Sequence, residues 1–591
     1  MLTSWIIFFQ KLNNSTMSKN KTLNHMNTIL VANIGTSDIA IEIEEFYIPI
    51  GFDRNERNID YTGLTKDEKL VWEQELKDSY ILEYLCPELG IEVKTDKNGK
   101  KTFSFRDLTE RILEAYQKDE ETWHKRIRPG RIWGVIKSAL EKFKTKEVYI
   151  FVTDQPHPSD TIYLFEILEK WCKREYPNLT LIKQLIPKEI RAINQDLLLN
   201  YYYKLFNSIT QDKTVLISIK GGTPQMQTAL RIQAIASGLA KQLFIDPKLS
   251  IKQVLAGEAS ECELTSYWRY MRTQRYQSVK LLLDERWDFD GARQILKDWS
   301  KVLEFLDKRQ ISKEINLSNA KTRIKKIVQA LNLGVNYLNL DYSITKESNP
   351  ELASDSEFKA WIINQGEAKL LNLYTQCRIY WELEQVANFL ARMSSFYEST
   401  LERLIVVLDG EKYFRNDKSL DIPFIRQEIG ENLWNHFYNE QKEYSPKLRN
   451  YQNNPYGVKL DNRFSKRNFI DKLLIPHSKV DRIHWDSILE SLKSLDFWAE
   501  QRNNLIHYST GISKAKMYDL LNEGKKEGNN KAIFACQSSQ ICNVMASICQ
   551  SELGLINKEY QNDFVGNNTR FYLYSDIKEW VFQQLNDDSD N

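Results

Sequence analysis

Histidine and cysteine are both scarce, seven of each in 591 residues, and no two cysteines stand as CxxC, so the ligand spacing of a zinc site is missing. Cys86, Cys172, Cys262, Cys377, Cys536, Cys542 and Cys549 are scattered and odd in number, which argues against a disulfide frame and for buried thiols in a reducing cytoplasm. Long apolar runs are missing too. The apolar opening Met1 to Phe9 is too short to span a bilayer and has neither a basic n-region nor a small-residue cleavage site. Residues 1–25 are therefore expected to be a disordered or misassigned leader, with Met17 and Met26 as alternative starts, and no membrane association is expected. Neither sign of charge is in excess: the net is +1, so any affinity for nucleic acid has to come from a local patch. GxxxxGKS/T and GxGxxG are both absent, which removes the two common nucleotide-binding fingerprints.

What remains is an ordinary water-soluble composition, 42% apolar and 27% charged, in a chain long enough for about three domains. From Thr28 to Leu255, short β-branched runs alternate with helical stretches such as Asp160 to Arg174. Thr28 to Ile34, Glu147 to Thr153, Leu181 to Ile186 and Thr214 to Ile219 are apolar enough to be central strands covered on both faces, which predicts a parallel α/β sheet of Rossmann-like type. Ligands of such sheets gather at the carboxyl ends of the strands. The charged stretch Asn55 to Arg131 interrupts the pattern and reads as helical and peripheral. After Cys262 the strand signal stops. Leu264 to Gln385 reads as a helical connector with a polar break from Asp341 to Ser356. Val386, Phe389, Met393, Phe396, Leu401, Leu404 and Leu408 recur at helical spacing, and a second amphipathic helix covers Ile488 to Ile506.

Two loops close predicted strands. In Asn33 to Asp38 and in Lys220 to Pro224, glycines let the backbone turn and approach a ligand; Thr223 suits a helix N-cap with Pro224 at the first helical position. The helix Gln225 to Leu239 would aim its positive end over the sheet, where an anion fits. The alternative is a pair of plain strand-to-helix turns.

Near the C-terminus, the apolar stripe Ile488, Leu492, Leu495, Ala499, Ile506 carries one charge, Arg502. Burying a lone guanidinium is costly, so Arg502 must meet an acid, a phosphate or a partner subunit. Beside it runs a polar line, Asp496, Glu500, Asn503, His507. Arg502 and His507 are five residues apart, roughly 140° around a helix, and would converge only across a symmetric helix pair. Histidine to move a proton and arginine to hold a phosphate suit metal-free RNA cleavage by the RNA's own 2′-hydroxyl; the alternative is a surface histidine and an Arg502 paired with Glu500 or Asp496. Gln441 to Arg482 has ten Lys/Arg against four Asp/Glu, interleaved with Tyr444, Tyr451, Tyr456, Phe464 and Phe469, as an RNA-contact surface or a solvated insertion would.

The Gly35-Thr36-Ser37-Asp38 loop and the segment Ser218 to Met226 resemble the two signature loops of the CARF domain, and Arg502-Asn503-x-x-x-His507 resembles the R-x4-6-H motif of HEPN ribonucleases. Their order is similar to that of the ancillary ribonucleases of type III CRISPR systems. The resemblance implies a CARF ligand-sensing domain at 26–258, a helical connector at 259–385 and an all-α HEPN domain at 386–591. It also implies a homodimer whose paired CARF sheets bind a cyclic oligoadenylate and whose paired HEPN domains then cut single-stranded RNA. No metal or cofactor is implied, the product would carry a 2′,3′-cyclic phosphate, and no stable association with the CRISPR effector complex is expected. Carried over by position, Gly35, Thr36, Ser37, Asp38, Lys220, Gly221, Gly222, Thr223, Pro224, Gln225 and Met226 would line the activator pocket, with Asp154 and Gln155 as further candidates. Arg502, Asn503 and His507 would form the cutting site. Some relatives cleave their activator in the CARF pocket, and Thr36 or Thr223 would be placed to help with that. Two other readings stay open: a ligand-sensing regulator whose helical domain only dimerises, and an RNase toxin needing no activator.

Overall fold

All six residues of β1, Thr28–Asn33, are buried, as a strand flanked by other strands and covered on both faces must be. The computed structural model describes residues 28–51, 59–73, 79–95, 97, 99, 101–311, 317–342, 361, 365–444, 458–478, 482–508 and 511–587, with backbone alone for 73, 365–367, 443–444 and 504–508. The expected leader and most of the polar break at 341–356 lie outside these residues.

The other strands of the main sheet are β2 (Glu147–Thr153), β3 (Thr180–Ile186), β4 (Thr214–Ser218), β5 (Gln242–Pro247) and β6 (Cys262–Thr265). Their order is β6-β5-β4-β1-β2-β3. β1 pairs in parallel with β2 on one side and β4 on the other, with Leu30 opposite Leu216 and Val31 opposite Tyr149. The chain winds outward from β1 through β2 to β3, then returns to β4 and β5, so the strand order reverses between β1 and β4. A crevice opens at such a reversal, outside the carboxyl ends of the strands.

Two corrections belong here. β3 is an edge strand with only Ile186 buried, because no strand lies beyond it. β5 is a strand the sequence reading did not name, and β6 carries the sheet past Cys262, where the strand signal stops, running antiparallel to β5.

Helices on this sheet include α2 (Gly130–Phe143), α3 (Ile162–Glu175), α4 (Gln195–Ser208) and α5 (Pro224–Ala236), and α1 (Phe105–Lys118) packs on α3. Phe151, Leu198, Tyr202, Phe206, Met226 and Leu230 pack with Ile29, Val31, Val215 and Ile217 into one core. α1 departs from the peripheral role expected of its region. Ser104 caps it by accepting from Asp107 N at 3.2 Å, and Phe105, Leu108, Ile112 and Tyr116 are buried where it packs on α3.

The chain divides into two compact units, residues 1–274 with 298–318, and residues 275–297 with 319–591. The stretch 259–385, expected as a connector, has residues in both. Among its described residues the regular elements of the second unit are all helices, with one isolated bridge, Phe414 to Leu420. α6 (Gln365–Glu382) packs on α7 (Val386–Val407), and α7 packs on the 27-residue helix α9 (Arg482–Tyr508); the short α8 (Arg463–Phe469) lies against α7. The apolar stripe of α7 is buried from Val386 to Leu404, as are Ile488, Leu492, Leu495 and Ala499 of α9.

All seven thiols are free. Burial pushes Cys86 up to about 11 and Cys172 up to about 12, so both stay protonated and inert near neutrality. Among the described residues no helix is long and apolar enough to cross a membrane, and no group of three or more His, Cys, Asp or Glu is placed to hold a metal ion.

Candidate functional site

At the carboxyl end of β1 the backbone of Gly35 meets the loop after β4. A Cβ on Gly35 would lie 3.0 Å from Gly222 N, and one on Gly221 would overlap the Asn33 carbonyl oxygen. Gly222 has φ +78°, a left-handed conformation that costs glycine nothing. The two glycine loops are thus pressed together with no room for a side chain between them. Asp38 closes the first loop: Gly35 N donates to its Oδ2 at 2.7 Å, and its own N donates to Gly35 O at 3.0 Å. The other carboxylate oxygen accepts from Ile132 N at 3.2 Å, tying the loop to the first turn of α2. Thr223 caps α5, accepting from Met226 N at 3.2 Å, while the Gln227 amide donates to the Lys220 and Gly222 carbonyls at 3.3 Å each.

Over this junction lies a cleft of about 670 Å³, the size of a small-ligand pocket. It gathers Gly35, Thr36, Gly222, Thr223 and Met226 from the two loops and Gln155 from the loop after β2, together with Thr153, His157, Asp160, Thr161, Lys188 and Arg191. Ser37 and Asp38 are buried outside its lining, as is Gly221 beneath it; Lys220, Pro224, Gln225 and Asp154 also lie outside.

Sequence reasoning missed what organises one wall. Asp160 is 3% exposed and accepts from Arg106 Nη1 at 2.7 Å, from Thr161 N at 2.8 Å, and from the Thr153 hydroxyl and Gln155 N. Arg106 also donates to Asp154 Oδ1 at 3.0 Å and to the Gln155 carbonyl at 3.2 Å. A carboxylate buried this deeply needs hydrogen-bond partners on both of its oxygens. The Gln155 side chain then fastens the loop after β3, donating to Ile190 O at 2.6 Å and accepting from Ala192 N at 3.4 Å; Thr223 Oγ1 donates to Ala192 O at 2.5 Å. Backbone N–H groups, threonine hydroxyls, the α5 N-terminus and two basic side chains face one space. That set suits a ligand bearing phosphates and sugar hydroxyls.

In the second unit, neither acid weighed as a partner for Arg502 is available to it. Asp496 accepts from Arg467 at 2.5 Å and from the Tyr397 hydroxyl at 2.9 Å, and Glu500 pairs with Lys531 at 3.1 Å. Burial first, then the Asp496 charge, holds the Tyr397 hydroxyl far above the ordinary phenol range. Arg502 Nη1 donates to Asn503 Oδ1 at 3.1 Å, and its Nε is buried with no partner among the described residues. Both residues face a cleft of about 530 Å³ shared with Ser394, Ser395, Glu398, Ser399 and Glu402 of α7, Lys369 of α6, and Asp461 to Arg463. His507 belongs to α9, but its side chain lies outside the described residues.

The basic stretch is not one open surface. Lys466 reaches Glu398 and Glu402 at 3.2 Å each, Arg467 serves Asp496, and Phe469 is fully buried. Residues 445–457, with Tyr451 and Tyr456, and 479–481 lie outside the described residues, as does the Tyr444 side chain.

No protein-family model matches the sequence, and no curated protein matches it. Among solved structures, the chain is similar to "Enterococcus italicus Csm6 bound to cyclic hexa-2'-fluoro-hexa-dAMP". The identity is 13%, the TM-score 0.44, and the alignment covers 77% of this chain and 95% of that one.

Proposed function

We propose that the protein is a ribonuclease gated by a cyclic oligoadenylate: the cleft at the β1/β4 junction takes the ring, and the cleft at Arg502 cuts single-stranded RNA. The observation that carries the reading is Arg502. Its Nε is buried and no carboxylate pairs with it among the described residues, so a phosphate would complete it. The glycine-loop cleft, and the resemblance of its two loops to CARF signatures, support the ligand half.

In the cutting step, His507 takes the proton from a 2′-hydroxyl and the 2′-oxygen attacks the adjacent phosphorus. Arg502 offsets the charge that grows on the non-bridging oxygens, and the bond to the 5′-oxygen breaks as the proton His507 took is delivered to that oxygen. The products are a 2′,3′-cyclic phosphate and a 5′-hydroxyl. Two copies of α9 across a two-fold axis would bring two such pairs together. The ring activates only by as much as it prefers the cutting arrangement over the resting one.

The test is incubation of the purified protein with labelled RNA in EDTA, with and without synthetic cyclic oligoadenylates of four and six units. Cleavage that depends on a ring and is lost in both R502A and H507A is expected. Cleavage that persists in both variants overturns the reading, and ring binding with no cleavage by the unaltered protein points to the regulator.

A further inference from the structure

The second unit's cleft holds more cation than Arg502. Lys369 and Arg463 line it as well. α8 begins where Asn462 caps it, accepting from Ser465 N at 2.8 Å, and that start lays Arg463 on α7. There Arg463 donates to Ser394 Oγ at 3.0 Å and sits over the Tyr397 ring at 5.6 Å. The next two cations of α8 are taken up by carboxylates, Lys466 by Glu398 and Glu402 and Arg467 by Asp496. Among the described residues, Arg463, Lys369 and Arg502 have no carboxylate within ion-pair distance. With Lys466, four cations meet three carboxylates here, Glu398, Glu402 and the exposed Asp461, and two of those three are turned to Lys466.

We infer that Arg463 and Lys369 bind the RNA backbone at the phosphates flanking the one that Arg502 holds. The inference rests on the ribonuclease reading and picks one residue out of the basic stretch. The bond to Ser394 and the Tyr397 ring beneath it hold the Arg463 guanidinium in place before RNA arrives, which lowers the cost of a forked bond to a phosphate. Ser395 and Ser399 supply neutral hydroxyls along the same wall.

The test uses the full chain with a cyclic oligoadenylate and a labelled single-stranded RNA. R463Q should raise KM about tenfold, the worth of one charge-assisted bond, with kcat within about twofold. In an H507A background, where RNA is bound and not cut, the slope of log Kd against log salt should fall by about 0.7 for each cation removed, in R463Q and again in R463Q with K369Q. R463K should restore the slope. Unchanged KM and slope in the double variant, while R502A stays inactive, overturns the inference and leaves the ribonuclease reading standing. A raised KM with an unchanged slope and a lowered Tm assigns Arg463 to supporting Tyr397, and overturns it too. No cleavage by the unaltered protein with any ring overturns both.

Discussion

At the first unit's cleft the acids are answered within the chain: Asp160 in the lining has Arg106, two backbone N–H groups and a threonine hydroxyl, and Asp154 just outside it has Arg106 with Lys188 at 3.7 Å. In the second unit Asp496, Glu500, Glu398 and Glu402 are answered too, by Arg467, Lys531 and Lys466, and what is left over in the cleft is three cations, Lys369, Arg463 and Arg502, against the exposed Asp461. A cleft whose acids are satisfied internally is preformed and binds through fixed dipoles and hydroxyls, here with Arg191 beside them. One that buries a guanidinium nitrogen with no partner among the described residues is incomplete until an anion or a second subunit arrives.

The sharpest way to break this contrast is to remove one cation from each side. R502A should cut the rate of RNA cleavage by about 100-fold or more while ring binding stays within about twofold, read by single-turnover cleavage and calorimetric titration. It should leave stability unchanged or slightly raised, because a partly buried unpaired charge is relieved. R106M should do the reverse. Stranding Asp160 should cost about 3 kcal/mol of first-unit stability in denaturant unfolding, and D160N in the same chain should recover part of it. G221A comes next, because its methyl group has to displace the Asn33 carbonyl; a loss of about 1–3 kcal/mol with weakened ring binding is expected. T223V is the mildest, about 1 kcal/mol for the lost cap, and T223S should restore it. If R106M proved harmless and R502A destabilising, the assignment of a satisfied cleft and an unsatisfied one would be inverted.

Much of this was legible in the sequence. β1, β2 and β4 are continuous apolar runs, and each lies in the sheet interior because a strand covered on both faces needs apolar residues at every position. β5 offers only Leu243 to Ile245 as an apolar run and β6 none, so pairing in the sheet, not composition, makes them strands. The Thr223 cap followed by Pro224 was readable because capping is local. Arg106 was not: it reaches Asp154 and Asp160 across 48 and 54 residues, and no spacing rule links a helix inside a charged stretch to a turn after β2. Nor was the competition for Asp496, which Arg467 wins from 29 residues upstream in a stretch that reads as an open basic surface.

The abutting glycine loops also constrain how this protein can diversify. At Gly221 an added carbon overlaps the Asn33 carbonyl and at Gly35 it crowds Gly222 N, so the floor of the cleft resists variation by substitution. Novelty in what the pocket accepts has to be written in the tethered loop after β3, where Lys188 and Arg191 project from a backbone secured by Gln155 and Thr223 and where side chains can change without moving the sheet.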